Sequence, residues 1–315
     1  MGKSRHNIEM TIIEDTQKIQ TAPCVATIGC FDGVHCGHKY LVSQVKHYAE
    51  QTGLKAALIT FTVHPRQVMQ TDYRPRLLSC PKQKAELIAS LDADYCFMLP
   101  FTVELSKLSA YEFMQYLKEV YHVHALVIGY DHRFGHNRTE DFNDYFRYGR
   151  QLGINVIRAQ ALEKDDTSIS SSLIRYLLNE GQIEKANEYL GYRYYLDGTI
   201  VDGFKVGRTL GFPTANLSPS CTDKLIPSEG VYAVYAYLNG TRYKGMLNIG
   251  HRPTIDNGTL LSIEVHILDF TGDIYHEQLR IDFMHKLRNE KKFDTVDLLR
   301  QQLHIDKEAV GNILK

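Results

Sequence analysis

Short apolar runs alternate with helix-period stretches through the first half of the chain. Residues 25–28 and 56–61 are apolar runs of strand length. Between them Leu41, Val42, Val45, Tyr48 and Ala49 recur at the spacing of one helix face. The pattern then predicts a helix over 82–91, a strand over 95–99, a helix over 110–121 and a strand over 125–129. A helix over 141–152 and a strand over 154–158 continue it. Alternation of this kind predicts a parallel sheet with helices on both faces.

Near Gly191 the texture changes. Two helical segments, 172–179 and 183–190, close the alternating region. After them come strands separated by turns: 231–238, 243–249, 261–268 and 279–284, with Asn239-Gly240 as a hairpin turn. Short strands with glycine-rich corners predict a small antiparallel barrel. The C-terminal stretch 294–314 is helical, with Val296, Leu299, Leu303 and Ile305 on an apolar stripe. The boundary falls near 187–192, giving domains 1–188 and 189–315. No internal repeat or low-complexity tract interrupts either.

Composition removes several classes of function. The 315 residues are 43% hydrophobic and 23% charged, ordinary values for a globular chain. With 36 basic and 37 acidic side chains, the charge lacks the basic excess of a nucleic-acid binder, so no nucleic-acid partner is expected. No apolar run reaches membrane-span length, and MGKSRHNIEM has no apolar core of a secretory signal. No membrane association is expected, and the cytoplasm is the expected location. The six cysteines form no Cys-x-x-Cys pair, so free thiols are expected. Cys30, Cys36, His35 and His38 fit no standard zinc frame.

The first chemical cluster is GCFDGVHCGH, residues 29–38. It follows a strand and opens a helix, where unpaired N–H groups and the positive end of the helix dipole hold phosphate. Gly29 and Gly37 allow close backbone approach. His35 and His38 lie three apart and face one way at a helix start. Two imidazoles aimed at one point can donate hydrogen bonds to a phosphate that gains charge in a transition state. A tight turn carrying two surface histidines is the plainer alternative, and the strand–helix context favours the site.

This Gly-x-Phe-Asp-Gly-x-His-x-Gly-His pattern resembles the nucleotidyltransferase motif of bacterial bifunctional riboflavin kinase/FAD synthetases. The likeness continues in order through Phe61-x-x-His64-Pro65-Arg66, Val127-Ile-Gly-Tyr-Asp131-His-Arg-Phe134-Gly135 and Ser168-Ile-Ser170-Ser171-Ser172-Leu-Ile-Arg175. It implies a Rossmann-like nucleotidyltransferase domain. The resemblance gives His35 and His38 catalytic roles. It makes Gly29, Phe31, Asp32, Gly37, His64, Asp131, Ser171 and Arg175 binding residues for ATP and flavin. A serine-rich helix cap is the plain reading of the last segment.

The second cluster lies in the strand-rich half. Gly198, Gly203, Gly207 and Gly211 mark a loop that bends, and Lys205 and Arg208 supply positive charge. For the glycines alone, a barrel corner is the plainer reading. The tail Gly211-Phe-Pro213-Thr214-Ala-Asn216 closely resembles the riboflavin kinase motif. It implies that Thr214 and Asn216 hold Mg2+ and the ATP phosphates, chemistry that suits oxygen donors and a hard cation. Gly203, Lys205, Gly207 and Arg208 become binding residues.

The likeness runs on through Asn248-Ile-Gly250-x-Arg252-Pro253-Thr254, Glu264-Val-His266 and Leu287-Arg288-x-Glu290. It implies that Glu264 is the catalytic base, with Arg288 and Glu290 on the flavin side. Glu264 sits between Ile263 and Val265 and points opposite to both, toward a site or toward solvent.

The resemblance covers about residues 22–306 and implies two steps. Riboflavin and ATP give FMN and ADP; FMN and ATP give FAD and pyrophosphate. ATP is co-substrate, Mg2+ serves both steps, and riboflavin, FMN and FAD are substrates or products. His132, Glu140-Asp141, Thr62-Val63 and His276 depart from the family's usual residues, three of the four in the adenylylation half. A kinase with a silenced first half, a nucleotidyltransferase for another phosphate ester, a tRNA-synthetase-like enzyme and a non-catalytic flavin-binding protein are the alternatives. The barrel motifs speak against the second, and the absence of a basic surface against the third.

Overall fold

The computed structural model describes residues 10–14, 21–69, 76–136, 139–164, 167–202, 207, 210–253 and 259–314. The chain divides into two compact units, Met1–Ser171 and Ser172–Lys315.

The first unit is built around strands β1 (Thr11–Glu14), β2 (Cys24–Ile28), β3 (Lys55–Phe61), β4 (Tyr95–Leu99), β5 (Val123–Ile128) and β6 (Asn155–Arg158). Helices α1 (Cys36–Thr52), α2 (Pro65–Met69), α3 (Pro81–Ala89), α4 (Val103–Lys107), α5 (Ala110–Tyr121) and α6 (Phe142–Leu152) connect them. A short hairpin of β7 (Glu163–Lys164) and β8 (Thr167–Ser168) follows. The six strands form one parallel sheet in the order β1-β4-β3-β2-β5-β6. Period-two alternation sends Cys24, Ala26 and Ile28 to a core shared with Phe113, Met114 and Leu117 of α5 and Tyr145 of α6. Val25 joins the opposite core with Val42, Val45 and Ala49 of α1 and Ile88 of α3. Helices on both faces are what the alternating pattern predicts. Strand β1 went unpredicted, because TIIE is a four-residue edge strand with a single buried side chain, Ile13.

Helix boundaries follow from capping. Ser109 caps α5 and pairs with Glu112, and Asp141 caps α6 by accepting from the Asn143 and Asp144 N–H groups. Asp141, which follows the departure at Glu140, therefore has a local structural task.

The second unit begins with α7 (Ser171–Asn179), whose first residue belongs to the first unit, and α8 (Ile183–Leu190). Six antiparallel strands follow: β9 (Tyr195–Val201), β10 (Ala215–Pro219), β11 (Gly230–Leu238), β12 (Thr241–Pro253), β13 (Thr259–Ile267) and β14 (Gln278–Arg288). They close a barrel in the order β10-β13-β12-β11-β14-β9, with β9 paired back to β10. Both helices pack on it. The Ser228 N–H donates to the Leu178 carbonyl, and the Asn187 side-chain amide donates to the Phe283 carbonyl. Asn239 and Gly240 both take positive φ, as the tight turn between β11 and β12 requires.

Strand β11 is apolar on both faces. Tyr232, Val234 and Ala236 fill one side, while Val231, Ala233 and Tyr235 meet Val310 and Leu314 at the end of the last helix, α9 (Val296–Ile313). A barrel open to water would alternate apolar and polar here; α9 supplies the second apolar layer.

Candidate active sites

In the first unit, β2 and β5 are neighbours whose connections leave in opposite directions across the sheet. The crevice at their carboxyl ends is where an open parallel sheet offers room for a ligand. The loop after β2 is residues 29–35, and the loop after β5 is residues 129–136.

The first loop is conformationally strained. Phe31, Gly33 and Val34 have φ of 49°, 77° and 36°. Such backbone costs about 1–3 kcal/mol at each non-glycine position. Asp32 holds it in place. Its buried carboxylate accepts from the Leu78 N–H at 3.0 Å, the Ser79 N–H at 3.0 Å and the Ser79 hydroxyl at 3.2 Å. The Ser79 oxygen in turn accepts from the Gly33 N–H at 2.9 Å. The Ser171 hydroxyl donates to the Asp32 carbonyl at 3.0 Å. Asp32 and Ser171 thus brace the turn.

His35 is the N-cap of α1, and its Nδ1 accepts from the His38 N–H at 3.3 Å. An accepting Nδ1 puts the proton of a neutral His35 ring on Nε2. The two imidazoles stack with centroids 3.7 Å apart and planes 20° apart, and Phe31 lies 5.0 Å from the His38 ring. The same-face expectation is met. A Cβ on Gly37 would lie 3.0 Å from the Ile169 carbonyl and 3.1 Å from the His35 ring, so any larger residue would press on both. Burial, and then the neighbouring His35 and His132 rings, push the His38 imidazole well below its ordinary pKa. It is neutral at physiological pH and keeps one ring N–H. Its Nδ1 is buried with no hydrogen-bond partner among the described residues, a polar atom that a bound phosphate would satisfy.

A cavity of about 490 Å³ is lined by Cys30 of the first loop, by Phe61, Phe101, Phe113 and Phe134, and by Arg66 and Arg133. A chamber lined by aromatic rings and two guanidinium groups suits an aromatic ring system bearing an anionic tail. Gly29 leads in from β2, its N–H on the Ile59 carbonyl. His64 caps the turn into α2 by accepting from the Arg66 N–H at 3.2 Å. Asp131 is exposed and is not among the wall residues. Arg175 lies on α7 in the second unit.

In the barrel, Glu264 is the centre of a row across three strands. Asn216 of β10 and Asn248 of β12 are its register partners on either side. All three are half-buried on the outer face, while Ile263 and Val265 point inward. The carboxylate accepts from the Thr214 hydroxyl at 3.1 Å and the Ser262 hydroxyl at 3.2 Å. Of the two directions open to Glu264, the structure selects the cavity side. About 650 Å³ of space is lined by Glu264, Asn248, Thr214, Gly207 and, from α9, Leu299 and Leu303. A second cavity of about 420 Å³, walled by Phe270, Ile274 and Tyr275, meets the first at Thr214, which lines both.

Arg288 donates through Nε and Nη2 to Asp306 of α9 at 3.0 and 2.8 Å. Asp306 is buried and also accepts from the Gln302 amide at 2.9 Å. Arg288 therefore fastens α9 to the wall of the larger cavity. The Glu290 carboxylate lies over Gly250, where a Cβ would collide with it. Gly203, Lys205 and Arg208 lie outside the described residues.

Sequence reasoning passed over Leu78 and Ser79, whose task appears only when Asp32 reaches them across the fold. It also gave no role to Asn248, although its place opposite Glu264 follows once β12 and β13 are paired.

An α/β unit with a phosphate-ready turn, followed by a barrel with a carboxylate–hydroxyl–amide row, defines a two-site phosphate-transfer enzyme. Residues 17–173 match the FAD synthetase family model and residues 190–314 match the riboflavin kinase family model. The chain is 38% identical over 286 residues to the bifunctional riboflavin kinase/FMN adenylyltransferase of Listeria monocytogenes, covering 90% of each. It is 32% identical over 302 residues to the Escherichia coli K12 enzyme of that name, covering 94% of this chain and 96% of that one. A solved structure described as a macrolide-efflux protein from Streptococcus pneumoniae superposes with a TM-score of 0.85 at 29% identity, over 96% of this chain and 99% of that one. Among the described residues, no helix is long and apolar enough to cross a membrane. The chain belongs to the bifunctional riboflavin kinase/FMN adenylyltransferase family.

Proposed function

We propose that the two halves of the chain catalyse consecutive ATP-dependent steps, with a kinase half at 189–315 and an adenylyltransferase half at 1–188. The barrel phosphorylates riboflavin to FMN. The α/β unit joins FMN to the adenylyl group of ATP, giving FAD and pyrophosphate. The observation that carries the reading is the arrangement around Glu264, a carboxylate beside Thr214 where two cavities meet.

In the kinase step Glu264 accepts the proton of the flavin's terminal ribityl hydroxyl. The freed oxygen attacks the γ-phosphorus of ATP, and ADP leaves. Flavin takes the larger cavity and ATP the smaller. Thr214, just before β10, and Asn216, on it, offer a hydroxyl and an amide oxygen two positions apart, a donor set that fits Mg2+. That ion, when bound, would neutralise phosphate charge.

In the adenylylation step an FMN phosphate oxygen attacks the α-phosphorus of ATP and pyrophosphate leaves. The attacking oxygen is already ionised, so no base is needed. His38 and His35, with the N-terminus of α1, donate hydrogen bonds to the phosphate oxygens as charge builds. The aromatic chamber receives the flavin ring, and the Arg66 and Arg133 guanidinium groups that also line it attract its phosphate. The reactions are placed in the cytoplasm.

The test is chromatography of riboflavin, ATP and Mg2+ with the protein, sampled over time. FMN first and FAD after it is the expected course. FMN accumulating without FAD would remove the adenylyltransferase, and no flavin product would remove the whole reading.

A further inference from the structure

The aromatic chamber of the first unit has one wall made of loop rather than regular structure. His132, Arg133, Phe134, Gly135 and His136 all line it. A loop wall is ordinarily soft, since loops make fewer fixed contacts than the elements they join. This one is held from behind by three helices. The His136 ring bonds the Ser106 carbonyl of α4 at 3.0 Å. Gly135, at φ 94°, sits so close to α5 that a Cβ would lie 2.8 Å from the Ala110 nitrogen. The third brace comes from α6.

Tyr145 is 1% exposed and lies outside the cavity. Its ring stacks on Phe134, with centroids 4.2 Å apart and planes 9° apart. Its hydroxyl accepts from the Phe134 N–H at 3.0 Å and lies 3.1 Å from the Phe134 carbonyl and 3.4 Å from the Glu140 carbonyl. One side chain thus takes up the ring, the donor and the acceptor of a single cavity-wall residue. Phe134 in turn packs edge-on against Phe113 and lies 6.2 Å from the His132 ring. A shift of Phe134 would move the wall of the chamber and disturb the ring next to it.

We propose that Tyr145 is a positioning residue for FMN adenylylation, fixing Phe134 so that the chamber is preformed for the flavin ring. The proposal rests on the reading of this chamber as the flavin site. A ring that meets a ready wall loses less on binding than one that must order the wall first. Removing only the hydroxyl leaves the stacked rings in place and leaves the Phe134 N–H without its partner. The loop then has a choice of positions, and flavin binding bears the cost of selecting one.

The experiment uses the full chain and initial rates of FAD formation from FMN and ATP, with riboflavin phosphorylation measured on the same samples. In Tyr145→Phe the KM for FMN should rise roughly tenfold, the loss expected when one buried hydrogen-bond partner goes. The KM for ATP, the maximal rate and riboflavin phosphorylation should hold. Phe134→Ala is measured alongside, and its KM for FMN should rise further. If Phe134→Ala leaves that KM unmoved, the chamber is not the flavin site, and the proposal falls with the reading. If Phe134→Ala raises it and Tyr145→Phe does not, the reading stands and the positioning role is wrong. Thermal unfolding of the Tyr145→Phe protein separates the remaining case. A lower melting temperature with a lower maximal rate and unchanged KM would mean a plain loss of folded enzyme, which overturns the proposal.

Discussion

The two candidate sites are made by opposite means. In the α/β unit the reacting groups stand on a strained turn, with Phe31 and Val34 at positive φ, and a network through Asp32 and Ser79 holds them. In the barrel, Asn216, Glu264 and Asn248 stand in regular strands, and the ladder register alone aligns them. The first arrangement presents backbone N–H groups and a neutral imidazole, which suits a reaction with no proton to remove. The second presents a carboxylate fixed between amides and hydroxyls, which suits one that needs a base. A turn can aim main-chain donors at a phosphate. A strand row can hold side chains at fixed spacing.

The sharpest way to break this comparison is a crossed pair of variants. Glu264→Gln should lower riboflavin phosphorylation roughly 10²–10⁴-fold, the usual share of a general base, while FAD still forms from supplied FMN. His38→Ala should lower FAD formation roughly 10²–10³-fold and leave phosphorylation intact. Both are read by resolving the flavins after incubation with ATP. Either variant losing both activities would show that the sites do not work separately.

Next in size is the fastening of α9. Asp306→Ala strands the Arg288 guanidinium in a site where the two side chains are 21% and 4% exposed. Breaking a buried pair in this way costs about 3–5 kcal/mol. Denaturant unfolding should show that loss, with a weaker KM for riboflavin and unaltered adenylylation of FMN. Equal losses in the two activities would say that α9 does not belong to the kinase site alone.

The smallest effect is a pH dependence confined to the α/β unit. Folding depresses the His38 pKa, so the unfolded chain takes up this proton more readily than the folded one. The stability it contributes is full above the ordinary imidazole value of about 6.5. It is lost as pH falls from there toward the lower folded value. Chemical denaturation at pH 7.5 and 5.5 should therefore show a steeper loss in the natural protein than in His38→Asn. Parallel losses would mean that His38 is not held neutral.

Much of this was legible along the chain, because period-two and helical spacings report directly on which faces are buried. The parallel sheet, the hairpin at Asn239-Gly240 and the closing helix followed from that. The motifs also named His35, His38, Thr214 and Glu264. What stayed hidden was long-range. Asp32 reaches Ser79 across 47 positions, and Arg288 meets Asp306 across 18. No local pattern encodes such pairs. The strand 231–238 was legible, but the partner of its apolar outer face was not, since that face makes sense only once α9 is known to cover it. Arg288 shows the limit of motif reading, since its guanidinium grips a helix as well as bordering a cavity.

Closure of the barrel has a consequence for how the chain fails. Its six strands leave no free edge, because β9 and β10 complete the ring. The parallel sheet ends in β1 on one side and β6 on the other, each with main-chain groups that could pair with another molecule. When the chain is refolded from denaturant at high concentration, aggregation will therefore start from the α/β half, whose slow-forming parallel pairs leave those edges open longest. The barrel half is the one built to survive crowding by copies of itself.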